Sequence, residues 1–424
     1  MVMASHSKRL FYGWYMVGAG SALQFLQAGL ITQSFGAYVA VLQAERGWSK
    51  TALSGAAAVQ QMESALLGPL LGWFIDRFGP QGMIRVGVVV FGIGLMALSG
   101  TDTLGGFYGA FLLIAFGGSL FGFFPVNVAL INWFERWRAR ALSSMSIGLA
   151  LGGISVPLVA WSLQSFGWRA TAFSSGIIAI VVGLPLAFVM KRRPEDHGTT
   201  VDGLPPASHA ASASRTGAGR DFTAGEALRT PAFWLLSLGH GFALFVVHAV
   251  NVHAITHMTQ DLGYTLKQAS LVYMVLPVAQ MGGVATGWLI GDRYEKRYIA
   301  AACMLMHMTA LLLLTYAVNV GMVIAFAVLH GVGWGLRGPF MQAIRADYFG
   351  RSAIGMILGL SLMILVIGQI GGPMIAGVTA DLTGNYRLGF TLLALLAGLG
   401  SLFFVLARRP ERPRWEKPGA RASG

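Results

Sequence analysis

Apolar runs about 20 residues long, one after another from residue 11 to residue 407, constrain this chain more than any other feature. An α-helix rises about 1.5 Å per residue, so each run is long enough to cross about 30 Å of hydrocarbon. Of the 424 residues, 55% are hydrophobic and 11% are charged, against about 25% charged in an ordinary soluble domain. So few charges could not cover a soluble surface of this size. The expected fold is an all-α integral membrane protein whose first partner is the lipid bilayer.

The runs place spans at 11–43, 51–74, 82–100, 104–134, 141–165, 169–190, 231–258, 268–290, 298–318, 320–346, 353–380 and 386–407. That gives 12 transmembrane helices, six on each side of a polar break. The domains are then a short N-terminus (1–10), a six-helix bundle (11–190), a linker (191–230), a second bundle (231–407) and a tail (408–424). The linker carries Gly203-Leu204-Pro205-Pro206 and Ala210-Ala211-Ser212-Ala213-Ser214, a composition too poor in apolar surface to offset its ordering entropy; it is expected to be flexible. Glu226 to Arg229 is expected to add one surface turn of helix. The first run lacks a small-residue cleavage site and reads as a retained span.

The second half repeats the first. Gly72-Trp73-Phe74-Ile75-Asp76-Arg77-Phe78-Gly79 returns as Gly287-Trp288-Leu289-Ile290-Gly291-Asp292-Arg293-Tyr294, with Asp76 and Asp292 separated by 216 residues. Gly152 and Gly368, Pro157 and Pro373, and Arg192-Arg193-Pro194-Glu195 and Arg408-Arg409-Pro410-Glu411 recur at that spacing. The two bundles are therefore expected to be pseudo-symmetric.

Charge location gives the orientation. With the N-terminus inside, twenty-four of the thirty Lys and Arg residues fall in cytoplasmic segments and five (Arg46, Lys50, Arg169, Lys267, Arg387) on the opposite side. This alternation is the positive-inside pattern, with both termini cytoplasmic. It also accounts for the net charge of +13 without a nucleic-acid partner. Cys303, the single cysteine, sits in an apolar run, so neither a disulfide framework nor a metal-ligand cluster is expected, and no cofactor is implied.

The thirtieth cation, Arg337, lies inside the tenth span, and Glu63 is its acidic counterpart in the second. A charge near the bilayer centre costs at least about 2.5–3.5 kcal/mol, so such residues face a cavity or a partner. His330 precedes Arg337 by seven residues, on the same helical face, amid glycines that permit close packing and, with Pro339, bending. Six histidines lie in or near second-half spans: His240, His248, His253, His257, His307 and His330. His248 and His330 sit deepest and, with Glu63, are the candidates to carry a coupling proton; His253 and His257 are expected to be hydrated. Gln24, Gln27, Gln60, Asn127, Asn251, Gln280 and Gln369 are spread over six spans, and each amide needs partners in hydrocarbon. A polar central cavity would serve them together.

Two six-span halves, a central linker and Gly-x-x-x-Asp-Arg-x-Gly after span two, echoed after span eight, resemble the major facilitator superfamily over essentially residues 10–408. That resemblance implies an alternating-access transporter whose bundles rock about a midplane site. It also implies that Gly72, Asp76, Arg77, Gly79, Asp292 and Arg293, with the basic turn Arg138 and Arg140, form a cytoplasmic gate. Pro80-Gln81 and the additional Gly291 depart from the usual motif. Tyr12-Gly13-Trp14-Tyr15, Asn132-Trp133-Phe134, Gly148, Gly152-Gly153 and Pro157 are most similar to the monocarboxylate and oxalate–formate porters. That group implies a small organic anion as substrate, to which a lone cavity arginine would be suited as a bidentate partner. The group often puts a cation in span eight or eleven; here it is in span ten.

The expected function is secondary transport of a small organic anion, a monocarboxylate, with a proton as coupling ion. Arg337, His330 and the amides Gln24, Gln27, Asn127, Asn251, Gln280 and Gln369 are the candidate substrate contacts. Efflux of amphipathic, drug-like compounds is the alternative. No Ser/His/Asp spacing supports an enzyme, a sensor has no dedicated signal, and no Gly-x-x-x-x-Gly-Lys phosphate loop supports a primary pump. A monomer in a bacterial inner membrane is the setting expected for it.

Overall fold

The computed structural model describes residues 11–48, 50–203 and 220–413. Lys8, Arg9, Arg215, Arg414, Lys417 and Arg421, and the Pro/Ala/Ser tract of the linker, lie outside these.

The first half runs α1 (Tyr12–Gln27), α2 (Phe35–Arg46), α3 (Lys50–Phe78), α4 (Pro80–Ser99), α5 (Leu104–Phe121), α6 (Phe123–Trp133), α7 (Arg138–Gly152) and α8 (Val156–Val189). A short α9 (Ala224–Leu228) precedes the second half, α10 (Pro231–Gln260), α11 (Leu266–Ile290), α12 (Lys296–Thr315), α13 (Val320–Phe349), α14 (Ile354–Thr383) and α15 (Arg387–Leu406). Nine stretches of the described residues are long and apolar enough to cross a bilayer. One of them, 138–189, is broken at Gly167, whose φ of 77° no helix admits, into two spans. With α1–α2 and α3 the total is twelve, in two six-helix bundles, each with its own apolar core.

Three spans are less uniform than their apolar runs suggest. The first is interrupted by a π-helical turn at Ala28–Thr32. Gly29 there packs so closely on Ser155 that a Cβ would lie 2.2 Å from its hydroxyl, and Ser34 donates to the Gly29 carbonyl at 2.5 Å. An extra residue in the turn lets the helix pass this contact. The fourth span is split at Gly122 into α5 and α6. The fifth passes through a 3₁₀ turn at Gly153–Ser155.

The tract that carried the expectation of flexibility lies outside the described residues, and what is described of the linker is its two ends. Residues 191–203 and 220–230 are docked onto both bundles. Trp133 stacks on His197 with ring centroids 6.3 Å apart, and the Arg220 amide donates to the Pro413 carbonyl at 3.0 Å. The surface turn expected at 226–229 is present as α9, with a reciprocal capping box between Thr223 and Glu226.

Candidate functional site

At the end of the molecule that carries the linker, the bundles are clasped by two related contacts. Asp76, at the end of α3, accepts hydrogen bonds from the backbone amides of Gly355 (2.9 Å) and Met356 (2.7 Å) in the first turn of α14. Asp292, just past α11, accepts from Ala139 (3.0 Å) and Arg140 (3.2 Å) in the first turn of α7. Ala139 and Gly355 are 216 residues apart, as the two aspartates are. A carboxylate at a helix N-terminus meets amides without intrahelical partners and the positive end of the dipole. Each bundle thus lends an aspartate to a helix of the other.

Glycines permit this approach. A Cβ on Gly72 would lie 2.4 Å from the Gly355 carbonyl oxygen, and one on Gly355 would lie 2.7 Å from Asp76 Oδ1. Buried Arg138 pairs with Asp347 at the end of α13, and Lys296 reaches the same carboxylate at 2.8 Å. Arg140 approaches Asp292 at 3.9 Å and lies over the rings of Trp137 and Trp288. Arg77 and Arg293 are exposed; Arg77 lies over Trp73 and Phe78 rather than across the bundle contact. Gly79, with a φ of 84°, makes the turn between α3 and α4.

Two linker residues invisible to motif reading complete the clasp. Asp202 accepts from the amides of Glu135 (3.2 Å), Arg136 (2.7 Å) and Trp137 (3.4 Å), just ahead of α7. Asp221 accepts from the amides of Arg351 (2.9 Å) and Ser352 (3.1 Å), just ahead of α14. Glu135 and Arg351 are again 216 residues apart. So α7 and α14 are each capped twice, by a linker aspartate and by one from the opposite bundle. Burial pushes the Asp202 carboxyl above its ordinary range. At Asp221 burial acts the same way, but bonds from Ser352 and Arg351 outweigh it and hold the group low. Arg351 also donates to the Asn132 carbonyl of the first bundle.

Between the bundles lies a cavity of about 290 Å³, lined by Gln24, Gln27, Thr32, Gln60, Ser119 and the rings of Phe123 and Phe124, with Leu362 from the second half. Gln27 donates to the Gly118 carbonyl at 3.3 Å. Glu63 is held beside this cavity by Ser119, whose hydroxyl donates to it at 2.9 Å. Gln24 and Gln27 therefore share one wall, whereas the other candidate amides are dispersed. Asn127 is buried in α6 with both amide atoms unpartnered among the described residues. Asn251 accepts from the Tyr273 hydroxyl at 3.0 Å. Gln280 and Gln369 are half-buried on α11 and α14.

Arg337 lies away from that cavity, inside the second bundle and 1% exposed. Its Nε and Nη1 have no acceptor among the described residues. Its charge acts on His240, His248, Cys303, His307 and His330, and among the described residues no aspartate or glutamate is buried around it. His330 and His307 are joined through their Nδ1 atoms at 3.1 Å. His248 is half-buried on α10.

Two placements correct the sequence reading. Arg345, counted among the loop cations, is 1% exposed inside α13 and donates to Ser361 Oγ, the Met341 carbonyl and the Leu236 carbonyl. Its position one residue before the end of the 320–346 apolar run hid it, because the helix continues to Phe349. His257, expected to be hydrated, is buried between Asp261 (2.7 Å) and the Leu314 carbonyl (3.1 Å), because α12 and α15 close over it. Half-buried His253 meets the Pro373 carbonyl at 3.0 Å.

Two bundles of six spans, clasped at one end by paired aspartates and enclosing polar groups, define a multi-pass membrane transporter of the alternating-access class. The sequence profile of the Major Facilitator Superfamily matches residues 19–320 and 254–423, and the chain belongs to that family. It is 27% identical to monocarboxylate transporter 13 of Bos taurus, across 95% of this chain and 92% of that one. It is 25% identical to monocarboxylate transporter 11 of Homo sapiens, across 93% and 82%. Among solved structures, the proton:xylose symporter XylE bound to 6-bromo-6-deoxy-D-glucose superposes with a TM-score of 0.72 at 14% identity, covering 94% of this chain and 96% of the other.

Proposed function

We propose that this secondary transporter moves a small organic anion, a monocarboxylate, together with a proton. The observation that carries the reading is Arg337: a buried guanidinium with two nitrogens unpartnered among the described residues, none of whose buried members in that bundle is an acid. An isolated buried cation is costly unless it is paired in some working state. A carboxylate is the partner its planar fork fits best. The names of the relatives above point the same way.

In this reading the clasped end is cytoplasmic, as the positive-inside bias expects, so the conformation described faces outward. The Gln24–Gln27 wall and the amides of the second bundle receive the substrate, and Arg337 meets it when the bundles close around it. Glu63 is engaged by Ser119 and is the remaining acidic candidate for the proton, which keeps efflux of amphipathic cations as the competing assignment.

The test is uptake of radiolabelled acetate, pyruvate and benzoate into proteoliposomes under an inward proton gradient. Wild type should accumulate at least one of them, and Arg337→Gln should lower the rate by about 100-fold or more, as expected for loss of a buried charge-assisted pair. Wild-type rates retained by Arg337→Gln would end the assignment.

A further inference from the structure

We propose that the coupling proton is carried by the imidazole pair His307–His330, one proton per pair; this rests on the organic-anion reading of Arg337. The pair joins α12 to α13, both residues are 0% exposed, and their Nδ1 atoms are 3.1 Å apart. Only one of two hydrogen-bonded nitrogens can bear the hydrogen. The neutral pair is therefore an Nδ1–H imidazole donating to an imidazole whose hydrogen is on Nε2. Both Nε2 atoms are buried and have no partner among the described residues. One is a bare acceptor and the other an unused donor. Were the pair only a clip between helices, two buried groups would stand uncompensated for nothing.

The bare Nε2 can take one proton and keep the contact. The resulting imidazolium still donates Nδ1–H to its neutral neighbour, now as a charge-assisted bond. A second proton would put hydrogens on both Nδ1 atoms, breaking the bond and placing two charges about 3 Å apart. The geometry thus sets the stoichiometry at one.

The groups facing the pair set its coupling. On its own helices the charged one is Arg337 on α13, which in turn acts on Cys303 on α12, Arg345 on α13 and His240 and His248 on α10. In α11, α14 and α15 the ionisable residues are Lys267, Asp381 and Arg387, in first or last turns, and Tyr273, about two turns into α11 and engaged by Asn251. Among the described residues, no carboxylate acts on the pair. An imidazolium here repels the Arg337 guanidinium, about 10 Å along the helix from His330, until an anion sits on that guanidinium. Anion and proton therefore each raise the affinity for the other by the same factor, as linkage requires. A monoanion and one proton then cross together without net charge.

The experiment measures the affinity of the purified protein for acetate, pyruvate and benzoate between about pH 5.5 and 8.5, above the pKa of these probes. Wild type, His307→Gln, His330→Gln, the double Gln variant and Arg337→Gln are compared. Wild-type affinity should rise toward acid by about 5–150-fold, the usual span of a coupling, with a limiting slope of one proton per anion. The double variant should bind the same probe with an affinity independent of pH. Should it fail to fold, the single variants replace it: each keeps one imidazole that can still take a proton but has lost the neighbour that receives its charge-assisted Nδ1–H bond, so the midpoint of the pH profile must shift from that of wild type. A wild-type profile, slope and midpoint alike, persisting in the folded histidine variants would overturn the pair while leaving Arg337 standing. Failure of wild type to bind any carboxylate at any pH would overturn the anion reading and the pair with it.

Discussion

Asp292 lies in a partly dehydrated corner just past α11, and burial pushes its carboxyl above the ordinary range, against the opposing pull of the Ala139 amide and Lys296. A conformation that separates the bundles would hydrate it and return it to about 4. The clasped state therefore binds a proton more readily than the open one, and acid on that side favours clasping. The effect is absent well above the raised value and sets in as pH falls through it. Spin labels across the linker end should report more of the short distance as pH drops, with a weaker response in Asp292→Asn; opening on acidification would contradict this. Gly350 is a second residue-scale case. Its φ is 86°, and a Cβ would lie 2.1 Å from the Asp221 carboxyl carbon. Gly350→Ala should cost about 1–3 kcal/mol, read as a lowered melting temperature. The gate aspartates could be found in the sequence because they repeat at a fixed spacing beside Arg. Asp202 and Asp221 could not, because a capping carboxylate in a linker has no pattern until the chain brings it to a helix end.

The helix ends are where closure is decided. Helices α7 and α14 each offer several free amides, and the linker satisfies the outer ones while the opposite bundle satisfies the inner ones. The linker aspartates stay with their helices, whereas Asp76 and Asp292 must leave, and the Arg138–Asp347 pair and the Arg351–Asn132 bond must break, for the bundles to part. Asp76→Ala should weaken closure by about 0.5–2 kcal/mol, a shift of roughly 2- to 30-fold toward the open linker end, seen as faster labelling of a cysteine placed in the first turn of α14. Gly72→Leu should act more strongly, since its side chain would occupy the space of the Gly355 carbonyl and keep α3 from α14; an unchanged distance distribution would refute that contact's role. The twelve spans were legible because hydrocarbon demands uninterrupted apolar length. The π-turn at Ala28–Thr32 and the break at Gly122 were not, because both answer to tertiary contacts, with Ser155 and with Gln27, that leave no mark on hydropathy.

For the whole molecule, the two halves differ in charge more than in shape. The first bundle carries a half-buried acid, Glu63, held by Ser119; the second carries buried Arg337 and Arg345 and a set of histidines, with its acids at the helix ends. Arg345 is saturated by uncharged acceptors and so serves structure, whereas Arg337 retains unpartnered nitrogens. Sequence alone flagged Arg337 by its depth but set Arg345 among the loop cations, so it showed neither that both are buried nor that they differ in whether acceptors are in reach. The same limit kept the His307–His330 contact hidden, since the partners are on different helices.

The most direct measurement of the central claim is the change in melting temperature on adding small carboxylates to wild type, Arg337→Gln and Arg337→Lys. A ligand that binds the folded protein stabilises it by mass action, about 2.7 kcal/mol at one hundred times its dissociation constant. The account predicts a carboxylate-dependent rise for wild type, none for the Gln variant and a smaller one for Lys, which keeps the charge but not the fork. A folded Arg337→Gln protein stabilised by carboxylates as fully as wild type, or a wild type stabilised only by amphipathic cations, would contradict it.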